Sequence, residues 1–348
     1  MKEYINILKE LSEATGLSGE ERPVAEIIKR RVESIANEVY YDGLGSLIAV
    51  KKGKGVGKLL ISTHMDEVGL VVSNITDEGF LKIEPRGGVD PKILLGHEVF
   101  IHTKNGRILG VIGAVPPHLS ASMDRSKNPS FEDLTIDVGM GAEKAKEMIK
   151  IGDTVTYKRE FTELMNNRVA GKAFDDRASV LASIWTLNEL QRINNDIDVY
   201  FLFSSQEEVG TKGAMTGAYA VDPDIAIAID VTFAKQPGSS RGVKMGEGPV
   251  IGIGPNYTPK IWRDLLKIAR DKNIRYQKEI DPRPGGTDAG PIQITRNGVA
   301  TELFSIPLRN MHTSVETIDM NDIRELVRWL VEYIISIDSK YMEGLKWS

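Results

Sequence analysis

The segment from Lys58 to Gly69 reads KLLISTHMDEVG, a short apolar run that ends in a histidine and two acids. Similar apolar runs occur at 199–203, 225–229 and 301–306. Helical patterns alternate with them, at about 177–191, 259–271 and 319–335. Strands that alternate with helices build mainly parallel sheets flanked by helices. The chain is therefore predicted to have an α/β fold of this kind.

The residues on either side of this segment extend the prediction. Upstream, the pattern predicts a helix from Glu20 to Val39 and a strand from Ser46 to Val50. Downstream, short β-branched runs are separated by Gly, Asn and Pro, which is typical of a small β-rich domain. We expect an α/β domain formed by residues 1–68 and 167–348, interrupted by a β-rich insertion at 69–166.

The composition excludes several classes of protein and site. The 348 residues include no cysteine, so any metal must be held by His, Asp or Glu, and disulfides and thiol nucleophiles are excluded. A net charge of −5 without a basic block argues against a nucleic-acid partner. There is no apolar leader and no apolar run of about 18 residues, so we expect a cytoplasmic protein that does not bind membranes.

Polar residues follow each predicted strand at the point where it ends. In open α/β sheets, ligands bind at the carboxyl ends of the strands. The side chains there, with the two acids that precede the helix at about 177, are His64, Asp66, Asp175, Asp176, Glu207, Glu208, Asp230 and His312. Two imidazoles with several carboxylates suit zinc, cobalt or manganese, and a bridging carboxylate can hold two ions about 3.5–4 Å apart. These positions predict a centre for two divalent ions.

The adjacent acids Glu207 and Glu208 offer a base for two-metal hydrolysis. A metal-activated water must lose a proton as it attacks. Because neighbouring residues at a strand end point to different sides, one glutamate can bind metal while the other faces the water. Asp66, two residues after His64, is placed to fix the tautomer of the imidazole.

Each of these positions also has an ordinary structural explanation. Asp175 or Asp176 could cap the following helix, and Asp230 could begin an Asx-turn. The paired glutamates could form a solvated turn. The metal-centre prediction therefore depends on all of these residues meeting at one edge of one sheet. The other histidines lie in the β-rich block and are predicted not to be ligands: His97, His102 and His118.

The ordered motifs of the chain resemble those of a known family. They read HMDEVG at 64–69, GKAFDDR at 171–177, QEEVGTKGA at 206–214, AIAIDV at 226–231, GGTDAG at 285–290 and PLRNMHTSVE at 307–316. In this order they resemble the tetrahedral-shell (TET) aminopeptidases, dinuclear metallopeptidases of family forty-two that include glutamyl aminopeptidases. The resemblance covers nearly the whole chain and implies a zinc-peptidase-like catalytic domain.

The resemblance implies a ligand for each position of a two-metal site. Asp175 would bridge the two ions, which would be zinc, with cobalt as the alternative. His64 and Asp230 would complete one site. Glu208 and His312 would complete the other.

The resemblance also implies the catalytic roles. Glu207 would be the general base in hydrolysis of the N-terminal peptide bond of short peptides, and Asp66 would orient the metal-binding imidazole. The Asp175–Asp176 peptide bond would be cis. Asp288, a Gly-flanked carboxylate in GGTDAG, is a candidate for binding the substrate's α-ammonium group, and a turn-forming role is the alternative.

In this family the β-rich block would be the dimerisation domain, and twelve subunits would close into a hollow tetrahedral particle. Two stretches depart from the family pattern. They are Leu308-Arg309-Asn310, where a Thr-Arg-Tyr-like run is expected, and His312-Thr313-Ser314, where a His-Ser-Pro-like run is expected. Both lie beside the implied substrate pocket, so the side-chain preference stays open.

Other functions remain as alternatives. An N-acyl-amino-acid deacylase could use the same two metals, and an inactive shell-forming or peptide-binding protein could retain the fold. Endoglucanase chemistry is disfavoured, because adjacent glutamates cannot readily flank a glycosidic bond on opposite faces. The glycine-rich stretch Gly246–Asn256 lacks nucleotide-loop spacing and is predicted to form turns around a short strand.

Overall fold

The computed structural model describes residues 1–114, 128–239, 242–283 and 285–345 of the chain. Within these ranges, no helix combines the length and the apolar composition that crossing a membrane requires. The chain divides into two compact units. The first contains Met1–Asp66, Phe161–Met311 and Val315–Ser348, and the second contains Glu67–Glu160 and His312–Ser314. The predicted insertion at 69–166, with its role in dimerisation, stays a prediction.

Helices and strands alternate along the first unit, and short strands dominate the second. Within the described residues the helices are α1 (Lys2–Glu13), α2 (Arg22–Val32), α3 (Ala142–Met148), α4 (Phe174–Glu189), α5 (Lys212–Val221), α6 (Pro259–Asp271), α7 (Ala289–Gln293), α8 (Met320–Ser336) and α9 (Ser339–Glu343). The strands are β1 (Glu38–Tyr41), β2 (Leu47–Lys51), β3 (Lys58–His64), β4 (Gly69–Ile75), β5 (Leu81–Arg86), β6 (Glu98–Thr103), β7 (Gly106–Ile112), β8 (Ile136–Asp137), β9 (Thr154–Tyr157), β10 (Thr162–Glu163), β11 (Arg168–Gly171), β12 (Asp198–Ser204), β13 (Ile225–Phe233), β14 (Val250–Ile253), β15 (Gln277–Ile280), β16 (Ala300–Leu308) and β17 (Glu316–Asp319).

Eight described strands of the first unit form a sheet in the order β1-β2-β12-β3-β13-β16-β14-β15, and β10, β11 and β17 form a separate three-stranded sheet. The four central strands β12, β3, β13 and β16 are mutually parallel, and β2 and β14 flank them in antiparallel pairing. Strands β3 and β13 are buried over nearly their whole length, as parallel strands covered on both faces must be. The predicted α/β fold with a mainly parallel sheet is confirmed.

Helix α4 is buried on all sides near its start and through its middle, from Phe174 to Leu187. It contacts helices α1 and α8 as well as strands β3 and β13. Because it is covered on all sides, this part of the helix lies in the interior of the unit and not on its surface. Its burial carries the acids of its first turn, Asp175 and Asp176, to the central strands.

The second unit is built around a closed barrel of strands in the order β4-β5-β8-β7-β6-β9, all paired antiparallel. Its core consists of inward-facing apolar side chains such as Leu70, Ile83, Val99, Ile101 and Val155. Closure removes the unpaired sheet edges that would otherwise be exposed. The expected β-rich character of this region is confirmed.

The predicted helix from Glu20 to Val39 is too long. Helix α2 ends at Val32, and Glu38 to Tyr41 form strand β1, which pairs with β2. The turn between them is held by Asp42, whose Oδ1 accepts hydrogen bonds from the backbone N–H groups of Leu44 and Ser46 at 2.9 Å each. Pairing with β2 therefore overrides the local helical pattern.

The glycine-rich stretch 246–256 contains strand β14, as predicted. The backbone N–H groups of Gly246 and Gly248 both donate to the carboxylate of Asp322, at 2.7 Å. Both glycines have positive φ angles, of 89° and 96°. These glycines thus form a turn held by the chain's own carboxylate.

Candidate metal centre

His64 is the last residue of the central strand β3, and its side chain is only 2% exposed. It lies in register with Ser204, the last residue of β12. On the other side, Ala228 of β13 is opposite Ser62, so Asp230 lies as far beyond this pair as His64 does. Parallel pairing therefore brings His64, Ser204 and Asp230 to the same level of the sheet, although β13 continues past Asp230 to Phe233 and is longer than the strand predicted at 225–229.

Three of the predicted ligands form a compact buried group. The ligand atoms of His64, Asp175 and Asp230 all lie within 4.8 Å of one another. The Nε2 atom of His64 is 3.1 Å from Oδ1 of Asp175. Asp175 and Glu208 also offer carboxylate oxygens within 4.8 Å of each other. Asp175 is thus close to both His64 and Glu208, the position that a bridging carboxylate requires.

The backbone around Asp175 is unusual. Ala173, two residues before Asp175, has a positive φ of 57°, and the Asp175–Asp176 peptide bond is cis, as the resemblance implied. The N–H of Asp175 donates to Oε2 of Glu316 at 3.1 Å, and the backbone N–H of His64 donates to Oδ2 of Asp176 at 3.2 Å. Asp175 thus belongs to the group of potential metal ligands, whereas the carboxylate of Asp176 holds the backbone of β3.

Asp66 connects the imidazole to the two glutamates. Its Oδ1 lies 3.4 Å from Nδ1 of His64 and accepts a hydrogen bond from the N–H of Glu207 at 3.0 Å. Its Oδ2 accepts from the N–H of Glu208 at 3.2 Å and from the Ser18 hydroxyl at 2.6 Å. One buried carboxylate therefore contacts the imidazole and holds the backbone that carries both glutamates.

Glu207 is mostly buried, with 8% of the residue exposed, and lies beside this group. Its Oε2 is 4.0 Å from Nε2 of His64. Its Oε1 is buried and has no hydrogen-bond partner among the described residues. A carboxylate in this position can accept a proton from a molecule bound at the centre.

The pKa values show how much negative charge is confined here. Burial raises the pKa of Glu207 to about 9 and that of Asp230 to about 8, with further increases from neighbouring carboxylates, although His64 opposes them. Burial also raises the pKa of Asp176 well above its usual value. Although burial disfavours the imidazolium, Asp175 and Asp66 hold the pKa of His64 well above its ordinary range.

These residues fit divalent cations. Glu207 and Asp230 are buried acids, and no lysine or arginine of the described chain forms an ion pair with either. The buried Arg177 instead donates to three backbone carbonyls, those of Leu11, Gly16 and Met65. Positive charge from metal ions would offset the desolvation and repulsion of these carboxylates.

His312 follows β16 and belongs to the residues that group with the second unit. Within that unit, its Nδ1 lies 2.8 Å from the backbone oxygen of Gly88. Its predicted role as a metal ligand stays a prediction.

Asp288 lies at the start of α7 and is only 3% exposed. Its Oδ2 accepts hydrogen bonds from the hydroxyls of Ser62, at 2.8 Å, and Ser204, at 2.7 Å. Its Oδ1 is buried without a hydrogen-bond partner among the described residues. Asp288 raises the pKa of both Glu207 and Asp230, so it is close enough to influence the centre.

The histidines predicted not to be ligands have other partners. Nε2 of His97 is 2.9 Å from the Ser314 hydroxyl, and Nε2 of His102 is 2.8 Å from the Thr156 hydroxyl. Neither belongs to a group of potential metal ligands in the described chain. His118 lies outside the described residues.

Several residues that support the centre were not predicted from the sequence. Ser18 donates to Asp66, and Glu316 accepts from Asp175. Glu21 accepts from the backbone of Gln206. None of them follows a predicted strand, and functional side chains were expected at strand ends. Glu316 is the last residue of the motif PLRNMHTSVE, so the motif itself could have marked it as a candidate site residue.

Comparisons with known proteins identify relatives of this chain. The family model described as M42 glutamyl aminopeptidase matches residues 45–329. A lysyl aminopeptidase from Pyrococcus furiosus is 37% identical over 328 residues, which cover 92% of this chain and 94% of that protein.

Two solved structures extend the comparison. An aminopeptidase from the archaeon Desulfurococcus kamchatkensis has 37% identity and a TM-score of 0.93, covering 100% of this chain and 98% of that one. The TET1 peptidase of Pyrococcus horikoshii, which can assemble into a tetrahedron or a large octahedral shell, has 35% identity and a TM-score of 0.87, covering 96% of this chain and 100% of that one. Because the family model and these relatives match nearly the whole chain, it belongs to the M42 glutamyl aminopeptidase family.

Proposed function

We propose that this protein is a metal-dependent aminopeptidase that removes N-terminal residues from short peptides. The observation that carries the proposal is the buried group of His64, Asp175 and Asp230 with the carboxylate of Glu207 beside it. This arrangement combines a cation site with a base that is not needed as a ligand. Membership of the M42 family supports the same reaction.

The proposed centre holds two divalent ions, zinc in our proposal, with cobalt as the alternative. His64 and Asp230 would hold one ion, Glu208 and His312 would hold the other, and Asp175 would be a ligand of both. When bound, the ions supply Lewis acidity toward the scissile carbonyl and lower the pKa of the attacking water. Asp66 keeps the imidazole of His64 in the orientation that ligation requires.

Glu207 is proposed as the general base. Its carboxylate takes one proton from the water as the water attacks the carbonyl carbon. The same proton is then given to the nitrogen of the leaving amine as the C–N bond breaks, so the carboxylate is regenerated. The buried position of Glu207 supports this role, because water is largely excluded and the proton stays within the site.

An aminopeptidase also needs a group that recognises the free α-ammonium of its substrate. Asp288 is our candidate, because one of its buried carboxylate oxygens is not used in hydrogen bonds to the described chain. The hydroxyls of Ser62 and Ser204 hold its other oxygen and would fix its direction.

We further propose that copies of this chain associate into dimers through the β-rich unit and into a homododecameric tetrahedral particle. The assembly stated for the TET1 peptidase of Pyrococcus horikoshii supports this proposal. Light scattering of the purified protein tests it. A mass twelve times that of the chain is expected, and a monomeric mass would contradict it. The cytoplasmic location stays a prediction.

One digestion experiment tests the function. A peptide pool, half with free and half with N-acetylated N-termini, is incubated with the protein before and after chelation, and again with Zn²⁺ or Co²⁺ restored. We expect mass spectrometry to show stepwise loss of N-terminal residues from the free half, abolished by chelator and recovered with metal.

The other outcomes separate the alternatives. Release of acyl groups from the blocked half would favour the deacylase. A parallel incubation with a β-glucan oligosaccharide tests the endoglucanase alternative, for which we expect no cleavage. No metal-dependent change in any substrate would contradict the proposal and favour a shell-forming or binding protein.

A further inference from the structure

The loop between α1 and α2 places a buried glutamate against the backbone that carries the proposed base. Glu21 immediately precedes α2 and is 6% exposed, yet its side chain makes no capping bond to that helix. Its Oε1 instead accepts hydrogen bonds from the N–H of Gly19, at 2.6 Å, and from the N–H of Gln206, at 3.0 Å. The carboxylate therefore joins the N-terminal loop to the segment after β12.

Gln206 has a backbone conformation that its side chain does not favour. Its φ is +56°, in the left-handed region, which is unfavourable for a residue with a Cβ atom. The next residue, Glu207, begins a tight turn in which its carbonyl accepts from the N–H groups of Gly210 and Thr211. The left-handed conformation of Gln206 thus sets the direction in which the chain enters the turn that carries Glu207.

Three consecutive N–H groups, those of Gln206, Glu207 and Glu208, are each held by a carboxylate from an earlier part of the chain. Glu21 accepts from the first, and Asp66 accepts from the other two. Successive N–H groups around a left-handed residue form a concave anion-binding arrangement. Here two buried side chains, Glu21 and Asp66, fill that arrangement. The loop that carries Glu21 also contacts Asp66, because the Ser18 hydroxyl donates to that carboxylate.

We infer that Glu21 is a positioning residue for the reaction, which holds Gln206 in its left-handed conformation and thereby keeps the Glu207 carboxylate directed at the metal centre. Glu21 itself does not touch the reacting atoms. The inference rests on the proposed function, because it assigns Glu21 a part in placing the proposed base.

The test compares three variants of the full-length, metal-loaded protein. Glu21→Ala removes both hydrogen bonds. Glu21→Gln keeps a carbonyl oxygen that can accept both. Glu33→Ala, at the exposed end of α2, is the matched control. For Glu21→Ala we expect kcat to fall about 10- to 100-fold, the loss typical of a misplaced catalytic group, with KM and metal content near wild type. Glu21→Gln should recover kcat to within about threefold of wild type, and Glu33→Ala should match wild type.

Amide hydrogen exchange gives a readout that does not depend on activity. In Glu21→Ala, exchange at 206–208 should accelerate about tenfold, the factor equivalent to one hydrogen bond to a charged acceptor. Wild-type exchange and kcat in Glu21→Ala would overturn the inference. It would also be overturned if Glu21→Gln were as impaired as Glu21→Ala, or if the loss of kcat only followed loss of metal or of folded protein. An inactive wild-type protein would instead refute the proposed function, and with it the catalytic part of the inference.

Discussion

The two units contain the same polar residue types but arrange them differently. In the first unit, the central strands run in the same direction, so that His64 at the end of β3 and Asp230 near the end of β13 meet Asp175 of α4 in one buried group. In the barrel, neighbouring strands are antiparallel, so successive strand ends lie at opposite ends of the barrel. There His102 is paired with a threonine hydroxyl. Strand direction therefore decides whether acids and histidines can converge on one ligand.

The largest effect is expected from removing the central imidazole, with a barrel histidine as its control. His64→Ala should lose metal and lower activity by about 10⁴-fold, because the ions supply several kcal/mol of transition-state stabilisation. His102→Ala should retain both, since its ring contacts Thr156. Elemental analysis of the purified variants and peptide hydrolysis rates check this pair. Equal metal content in the two variants would contradict the assignment of His64 as a metal ligand.

The base should matter nearly as much as the metal. Glu207→Gln should keep the metal and lower kcat by about 10²- to 10⁴-fold, the usual contribution of a general base. Glu84→Gln, an exposed position on barrel strand β5, makes the same chemical change and should have no effect. Steady-state kinetics on a free peptide measure both. Normal turnover in Glu207→Gln would refute the assignment of the base.

A smaller effect is expected from Asp66, which acts through His64. Asp66→Asn should weaken metal affinity or activity by about 10- to 100-fold, as loss of a carboxylate that orients a ligand usually does. Asp77→Asn, at an exposed position of the barrel unit, is the matched control. Metal titration with a competing chelator measures the affinity. Unchanged affinity and rate in Asp66→Asn would contradict its orienting role.

The smallest effect concerns recognition of the substrate. Asp288→Asn should raise KM for peptides with a free N-terminus by about tenfold, the equivalent of one charged hydrogen bond, and change kcat less. Asp137→Asn on barrel strand β8, where the side chain is exposed, should leave KM unchanged. A thermal melt separates the two possible roles of Asp288. A lower melting temperature without a change in KM would indicate that it only supports the sheet through Ser62 and Ser204.

The alternation of strands and helices, and the residue types near the strand ends, could be derived from the sequence alone. Apolar runs such as 225–229, which alternate with helical patterns, predict buried parallel strands, and the carboxyl ends of such strands lie at one edge of the sheet. His64, Asp175 and Asp230 were therefore predictable as neighbours, and the structure brings them together. Their individual roles as ligands remain proposals.

Features that depend on partners distant in sequence became evident only in the folded chain. The pairing of β1 with β2 ended the helix that local periodicity predicted up to Val39. The contact of Glu21 with Gln206 joins residues that are 185 positions apart. Hydrophobic periodicity reports what each segment buries, but it carries no information about which buried carboxylate meets which backbone N–H group. Those pairings arise only when the sheet order is set, because burial then forces each polar group to find a partner within reach.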